Sequence, residues 1–317
     1  MAEIIRKAIK AYNIVFYDWT DPRTNSWFLV AKPYEGLILL GLYLFFVLKL
    51  GPKWMKNRAP FNVNKLMIAY NILQVFLCAY IFVEATKAWG QYKLFCEPID
   101  YSESKDALNA VNITYLYYIS KLLDLIDTIF FVLRKKFSQI SFLHVYHHTG
   151  MVMLIWGGIT YLPGGHGTSV GLINSFVHVV MYSYYLLTIV FPQVKYSLRW
   201  KKYVTQIQII QFFLCVVHIG SLVFIPDCAY PRWVVTVFLP QNLFMLVLFV
   251  DFYIKTYIKK PKENILVIST KTNGTKENIE CYSNNEKTGD LQFHVDRIDD
   301  SKLLLRKVNQ SEKYCKV

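Results

Sequence analysis

Apolar residues in this chain gather into blocks of about 20, the length at which an α-helix crosses a hydrocarbon core roughly 30 Å thick. Such blocks recur, at Tyr34 to Leu50, Leu66 to Val83, Ala110 to Leu133, Phe142 to Tyr161, Val170 to Val190, Val204 to Phe224 and Trp233 to Tyr253. That makes seven spans. The fourth and fifth, separated only by Leu162 to Thr168, could instead form a tight re-entrant pair. Of the 317 residues 54% are hydrophobic and 16% aromatic, a balance that soluble domains of this size seldom reach. The expected fold class is all-α: a polytopic membrane protein whose seven helices, within residues 34–254, enclose a narrow tunnel. A short segment, 1–33, precedes them and a tail, 255–317, follows.

Basic residues collect in alternate connections, at Lys49 to Lys65, Arg134 to Lys136, Lys195 to Lys202 and Lys255 to Lys262. By the positive-inside rule these face the cytosol, while the stretches Glu84 to Asp106 and Leu162 to Ser169 face the lumen. The N-terminus is then lumenal and the C-terminus cytosolic. The first 30 residues carry charges and lack an apolar core followed by small residues, so the first span is expected to act as its own signal. The formal charge of +13 reads as topology and attraction to anionic headgroups, with no nucleic acid implied.

From Lys255 onward Lys, Glu, Asn, Ser and Thr of mixed sign lead us to expect a disordered tail. The sequons at Asn273 and Asn309 fall in it, on the cytosolic side, and Asn112 lies too close to the bilayer, so none is expected to carry glycan. Cys78 and Cys215 lie in spans and Cys281 and Cys315 in the tail, which leaves Cys96 and Cys228 as the lumenal pair. These two are placed to form a disulfide, the alternative being two free thiols in separate loops.

Strongly polar groups inside spans are costly, so each points to function or to pairing. The third span holds Lys121, Asp124, Asp127 and Thr128 at steps of three and four, on one side of a helix. Lys121 and Asp124 could be a self-neutralising ion pair or part of a site. The fourth begins FLHVYHHTG, with His144, His147 and His148 within roughly 100° of arc. On the fifth, Asn174, His178, Met181, Tyr182 and Tyr185 share a face, and the sixth carries Thr205, Gln208 and Gln211. Counting about 1.5 Å per residue from the cytosolic ends puts His147 some 8 Å deep and Asp127 and Asp124 about 9 to 14 Å deep, with His178 and Lys121 nearer the middle. Overlapping depths on four helices suggest one pocket, open to the cytosol.

The four runs, in this order and spacing, resemble the signature set of the very-long-chain fatty acid elongases: K-x-x-E/D-x-x-D-T, H-x-x-H-H, N-x-x-x-H-x-x-M-Y-x-Y-Y and T-x-x-Q-x-x-Q. The likeness runs from the third to the sixth span. Two departures are Asp124 where the family often has Glu, and the ending Lys313-Tyr-Cys-Lys-Val317, which lacks a terminal lysine pair. The resemblance implies an endoplasmic-reticulum enzyme that condenses a long acyl-CoA with malonyl-CoA to 3-ketoacyl-CoA, CO2 and CoA, with no cofactor and no metal. It also implies the ketoreductase, dehydratase and enoyl reductase of the elongation cycle, and further copies of the chain, as partners.

A neutral imidazole attacks thioesters and gives an activated acyl-imidazole, which makes His147 the expected nucleophile. His144 and His148 would orient it, Asp124 and Asp127 would fix a tautomer, and His178, Asn174 and Gln208 would stabilise thioester or enolate oxygens. Lys121 would neutralise the carboxylates or meet a CoA group. Thr128, Met181, Tyr182, Tyr185, Thr205 and Gln211 complete the expected substrate-binding set. The competing classes are a di-iron membrane desaturase or hydroxylase, which wants about eight nitrogen or carboxylate ligands, and a non-catalytic seven-span carrier or receptor.

Overall fold

The computed structural model describes residues 1–195 and 197–259 and, beyond them, the stretches 267–273, 276–282, 293–299, 302–307 and 312–316. An N-terminal helix α1, Ala2–Asn13, continues as a π turn, Ile14–Asp18. The rod α2 begins at Pro33–Phe45, passes through a π turn at Phe46–Leu50 and ends in Gly51–Met55. Then come α3 Asn64–Trp89, α4 Lys105–Leu133, α5 Phe142–Tyr161, α6 Thr168–Val190, α7 Leu198–Ser221 and α8 Trp233–Tyr253.

Local sequence sets the ends of these rods. The Ser104 side chain caps α4 by accepting the Ala107 N–H at 3.2 Å, and Pro33 opens α2, where its missing N–H costs nothing. Between α5 and α6 the chain turns through Gly164 and Gly165, both at positive φ. At Gly165 a Cβ would stand 2.7 Å from the Pro98 carbonyl oxygen, so only glycine lets this turn press against the α3 to α4 connection. The His166 N–H bonds the Glu97 carbonyl there at 2.9 Å. Helices α5 and α6 run 20 and 23 residues.

Five of the rods are long and apolar enough to cross a membrane: Pro33–Met55, Asn64–Trp89, Gly165–Val190, Leu198–Phe224 and Trp233–Ile258. The other two long helices, α4 and α5, carry the Lys, Asp and His residues that lower their hydropathy. The packing is a closed ring. Helix α3 lies against α4 and α6, α7 against α6 and α8, and α5 against α4 and α8. Tyr146 closes the ring where α5 meets α8, donating to Gln241 Oε1 at 2.6 Å.

Six helices therefore surround the interior, where the sequence suggested seven. Helix α2 packs outside, on α4. The reason is its composition: Leu40, Tyr43 and Val47 are buried, while Leu37, Ile38, Leu42, Phe45 and Leu48 stay exposed as a lipid-facing rod would require. Cys96 and Cys228 are joined as a disulfide, Cα atoms 5.7 Å apart, tying the α3 to α4 connection to that between α7 and α8.

Residues from Ile258 onward form a separate unit. Within it Val267–Asn273 pairs antiparallel with Lys276–Tyr282, and Lys302–Lys307 lies between Phe293–Asp299 and Glu312–Lys316. A disordered tail was expected from composition, and these stretches are strands instead; β-branched and aromatic residues recur through them, as in VISTKTN.

Candidate active site

The catalytic candidates start with a helix cap. Ser141 Oγ accepts the His144 N–H at 3.3 Å, which fixes the first turn of α5 and so puts His144, His147 and His148 in its first two turns. Their imidazoles lie together: the rings of His144 and His148 have centroids 4.2 Å apart, and those of His147 and His148 5.5 Å. His144 Nε2 is 2.9 Å from Thr128 Oγ1, which also accepts the Tyr43 hydroxyl at 2.7 Å. Helix α2, although outside the ring, thus reaches the histidines through one hydroxyl. His147 meets aromatic edges, Phe212 of α7 and Phe249 of α8, each at 6.1 Å. Among the described residues, His148 Nδ1 is buried without a hydrogen-bond partner.

One turn further along α4 the surroundings change. Lys121 Nζ lies 2.8 Å from Asp124 Oδ2, 2.9 Å from Asn174 Oδ1 and 3.3 Å from His178 Nδ1, which uses all three of its protons. Since the ammonium can only donate, His178 Nδ1 accepts, and the proton of that neutral imidazole is assigned to Nε2. Asp124 Oδ1 receives Gln74 Nε2 at 2.7 Å and the Tyr182 hydroxyl at 2.8 Å. The same hydroxyl stands 2.8 Å from Asp127 Oδ2. Asn174 Oδ1 also accepts from Tyr117 at 3.0 Å, and its Nδ2 donates to Gln211 at 3.3 Å. Helices α3, α4, α6 and α7 are all stitched into this array.

A family model for the ELO: GNS1/SUR4 family matches residues 28–265. The chain belongs to that family. It is 45% identical over 251 residues to a protein named very long chain fatty acid elongase 7 of Rattus norvegicus, covering 77% of this chain and 89% of that one. It is 40% identical over 273 residues to very long chain fatty acid elongase 7 of Drosophila melanogaster (83% and 82%), and 40% identical over 256 residues to very long chain fatty acid elongase 4 of Homo sapiens (79% and 81%).

In this member of the ELO family the expected residues divide by their contacts. Lys121, Asp124, Asp127, Asn174, His178, Tyr182 and Gln211 share one network, and Thr128 joins the histidines of α5. Met181 is buried and takes Gln208 Nε2 on its sulfur at 3.5 Å. Thr205 lies apart, bonding the Lys201 carbonyl at 3.0 Å and facing the Tyr257 hydroxyl at 3.3 Å. Tyr185 is 38% exposed and touches the network only through its ring, 6.0 Å from that of Tyr182.

Lys121 is 2% exposed and lies against Asp124, the first of its two expected placements, with Asn174 and His178 as its other neighbours. Asp127 touches Tyr182, not a histidine, and Asp124 Oδ2 is 3.7 Å from His178 Nδ1, further than Lys121. The group nearest His178 Nδ1 is therefore the Lys121 ammonium, not a carboxylate.

Gln74, Tyr70, Tyr117 and Tyr43 belong to the site, and reading the sequence by motif missed them. Gln74 also donates to the Tyr70 hydroxyl at 3.1 Å. The legible signal was Asn71 and Gln74, three apart in an otherwise apolar span and both buried.

On the far side of Tyr117 from the histidines lies a cavity of about 60 Å³. Ile81, Ala85, Ile113, Ile155 and Gly158 line it, with Trp89 and Tyr230 at its outer end. At Gly158 an added Cβ would meet nothing within 4 Å.

Proposed function

We propose that this chain condenses a long or very-long-chain acyl-CoA with malonyl-CoA, the first step of fatty acid elongation, as a 3-oxoacyl-CoA synthase of the endoplasmic-reticulum membrane. The carrying observation is the contrast inside the ring: the His147 ring lies against aromatic edges and a neighbouring imidazole, with no hydrogen-bond partner among the described residues, beside a network that presents a fixed, neutral His178. The relatives are named very long chain fatty acid elongases, which supports fatty acid elongation as the setting of this reaction.

In the first half-reaction His147 attacks the thioester carbon, its ring proton passes to the departing CoA sulfur, and CoA leaves as the thiol. In the second, the C–C bond to the malonyl carboxylate breaks, CO2 departs, and the resulting enolate carbon attacks the acyl-imidazole. The C–N bond breaks, and the imidazole leaves as an anion that takes up one proton from the medium. Each turnover therefore consumes one proton. The Nε2–H of His178 and the amide of Asn174 suit an oxyanion, held in place by Lys121 without moving during reaction.

The acyl tail would run past Tyr117 into the apolar cavity, completing a tunnel closed at its outer end by Trp89 and Tyr230. All seven rods would span the bilayer, with the N-terminus lumenal, the tail cytosolic, and the other enzymes of the cycle and further copies of the chain as neighbours.

The deciding experiment supplies the purified chain with a long acyl-CoA alone, then adds malonyl-CoA. One acyl group should appear on the peptide bearing His147 and be discharged as 3-ketoacyl-CoA with release of CO2. Binding of both thioesters without turnover would favour a carrier.

A further inference from the structure

Helix α1 takes no part in the ring. Its residues divide by chemistry: at 100° per residue Ile4, Ile5, Ala8, Ile9 and Tyr12 fall within about 140° of arc, and Glu3, Arg6, Lys7, Lys10 and Asn13 within about 120° on the other side. Glu3 and Lys7 pair on the polar face at 3.1 Å. The apolar face is bare, with Ile4 73%, Ile5 54% and Ile9 56% exposed. A water-facing helix with such a face would be a liability; a lipid-facing one needs it.

The level at which α1 leaves the bundle is fixed by two contacts with the last turns of α5. The Phe16 ring lies 6.5 Å from that of Trp156, and the Asp21 N–H donates to the Thr160 carbonyl at 2.8 Å. That is the end of the ring remote from the histidines. Tyr17 and Trp19 are exposed in the following turn, as aromatic side chains are where a bilayer meets water. The exposed apolar face of α1 thus leaves the bundle at the level of the last turns of α5.

We propose that α1 lies in the plane of the membrane interface, with Ile4, Ile5, Ile9 and Tyr12 among the acyl chains and Arg6, Lys7 and Lys10 at headgroup phosphates. It anchors the end of the ring that holds the cavity. This assignment does not depend on the reaction proposed above.

The test uses the full chain in nanodiscs of phosphatidylcholine with a minority of phosphatidylserine, in a Cys281→Ser, Cys315→Ser background. Spin labels are placed one at a time at Ile5→Cys, Arg6→Cys, Ile9→Cys and Lys10→Cys, and their collisions with oxygen and with a water-soluble nickel chelate are measured. The ratio of oxygen to nickel access should be at least about threefold higher at positions 5 and 9 than at 6 and 10, the signature of an interfacial helix. A nickel-dominated ratio at all four would mean the helix stands in water and would overturn the assignment. Loss of access to both reagents at 5 and 9, with spin–spin broadening, would overturn it in favour of a second copy covering the face.

Discussion

Two neighbouring groups inside the ring are built on opposite rules. Around Lys121 the polar atoms are paired, Gln74 Oε1 excepted: the ammonium spends three protons, Asp124 takes Lys121, Gln74 and Tyr182, and Asn174 bonds on both ends of its amide. Around His147 the neighbours are rings, and His148 keeps an unpartnered buried nitrogen. In a medium without water the first arrangement is rigid, because breaking any bond strands a charge or a dipole. The second leaves imidazole lone pairs available. On the reaction proposed above, the difference separates scaffold from reagent and gives each region its own response to mutation.

The largest expected effect is on turnover alone. Replacing His147 with Ala should lower condensation by at least about 10³-fold, the scale on which a covalent nucleophile is lost. The thermal unfolding of the purified protein should barely move, since among the described residues the imidazole has no hydrogen-bond partner. Should His147→Ala turn over normally while His148→Ala does not, the unpartnered imidazole is the reagent and the roles exchange.

Next comes Lys121→Met, which attacks the saturated side. It leaves the Asp124 carboxylate buried with two neutral donors and no cation, and removing one partner of a buried pair costs about 3–5 kcal/mol. Stability and turnover should fall together, unlike in His147→Ala. Restoring stability but not turnover with Lys121→Met plus Asp124→Leu would locate the loss in the stranded charge. A Lys121→Met protein as stable as the parent would break the comparison at its root.

A smaller version of that loss is Tyr182→Phe. The hydroxyl lies 2.8 Å from both carboxylates and can donate its one proton to either, and the residue is fully buried. Its removal leaves an acceptor short of a donor, worth about 1–3 kcal/mol when buried. Unfolding in detergent should shift less than for Lys121→Met, with an intermediate drop in turnover. A shift equal to that of Lys121→Met would show that the hydroxyl, not the ammonium, organises the cluster.

What the sequence made legible follows from what periodicity encodes. Apolar blocks marked the spans, and steps of three and four put Lys121, Asp124 and Asp127 on one face of α4, because both signals live within one helix. Which helix stands outside the ring does not: α2 and α3 read alike as hydrophobic runs, and only packing separates them. The tyrosines were opaque for a similar reason, since Tyr43, Tyr70 and Tyr117 are three of 23 in the chain and nothing local distinguishes a hydroxyl that reaches inward. Asp124 and Asp127 were tied to the histidines by proximity in depth, whereas the bonds that form depend on azimuth around neighbouring helices.

The smallest expected effect separates two residues that a single spacing pattern joined. Thr205 and Gln211 sit six apart on α7, yet Gln211 receives Asn174 Nδ2 inside the network while Thr205 turns back to Lys201 and Tyr257. Thr205→Val keeps the shape and loses one bond of a kind made by many membrane helices to their own backbone. It should change stability by no more than about 1 kcal/mol and leave turnover within about twofold. Gln211→Ala removes the acceptor that orients the Asn174 amide, whose oxygen serves Lys121 and Tyr117; the amide is then free to rotate and turnover should fall well below that of Thr205→Val. Steady-state rates of the two purified variants at saturating malonyl-CoA decide the matter. Equal losses would return Thr205 to the substrate-binding set and show that the partition drawn from hydrogen bonding misplaces this face of α7.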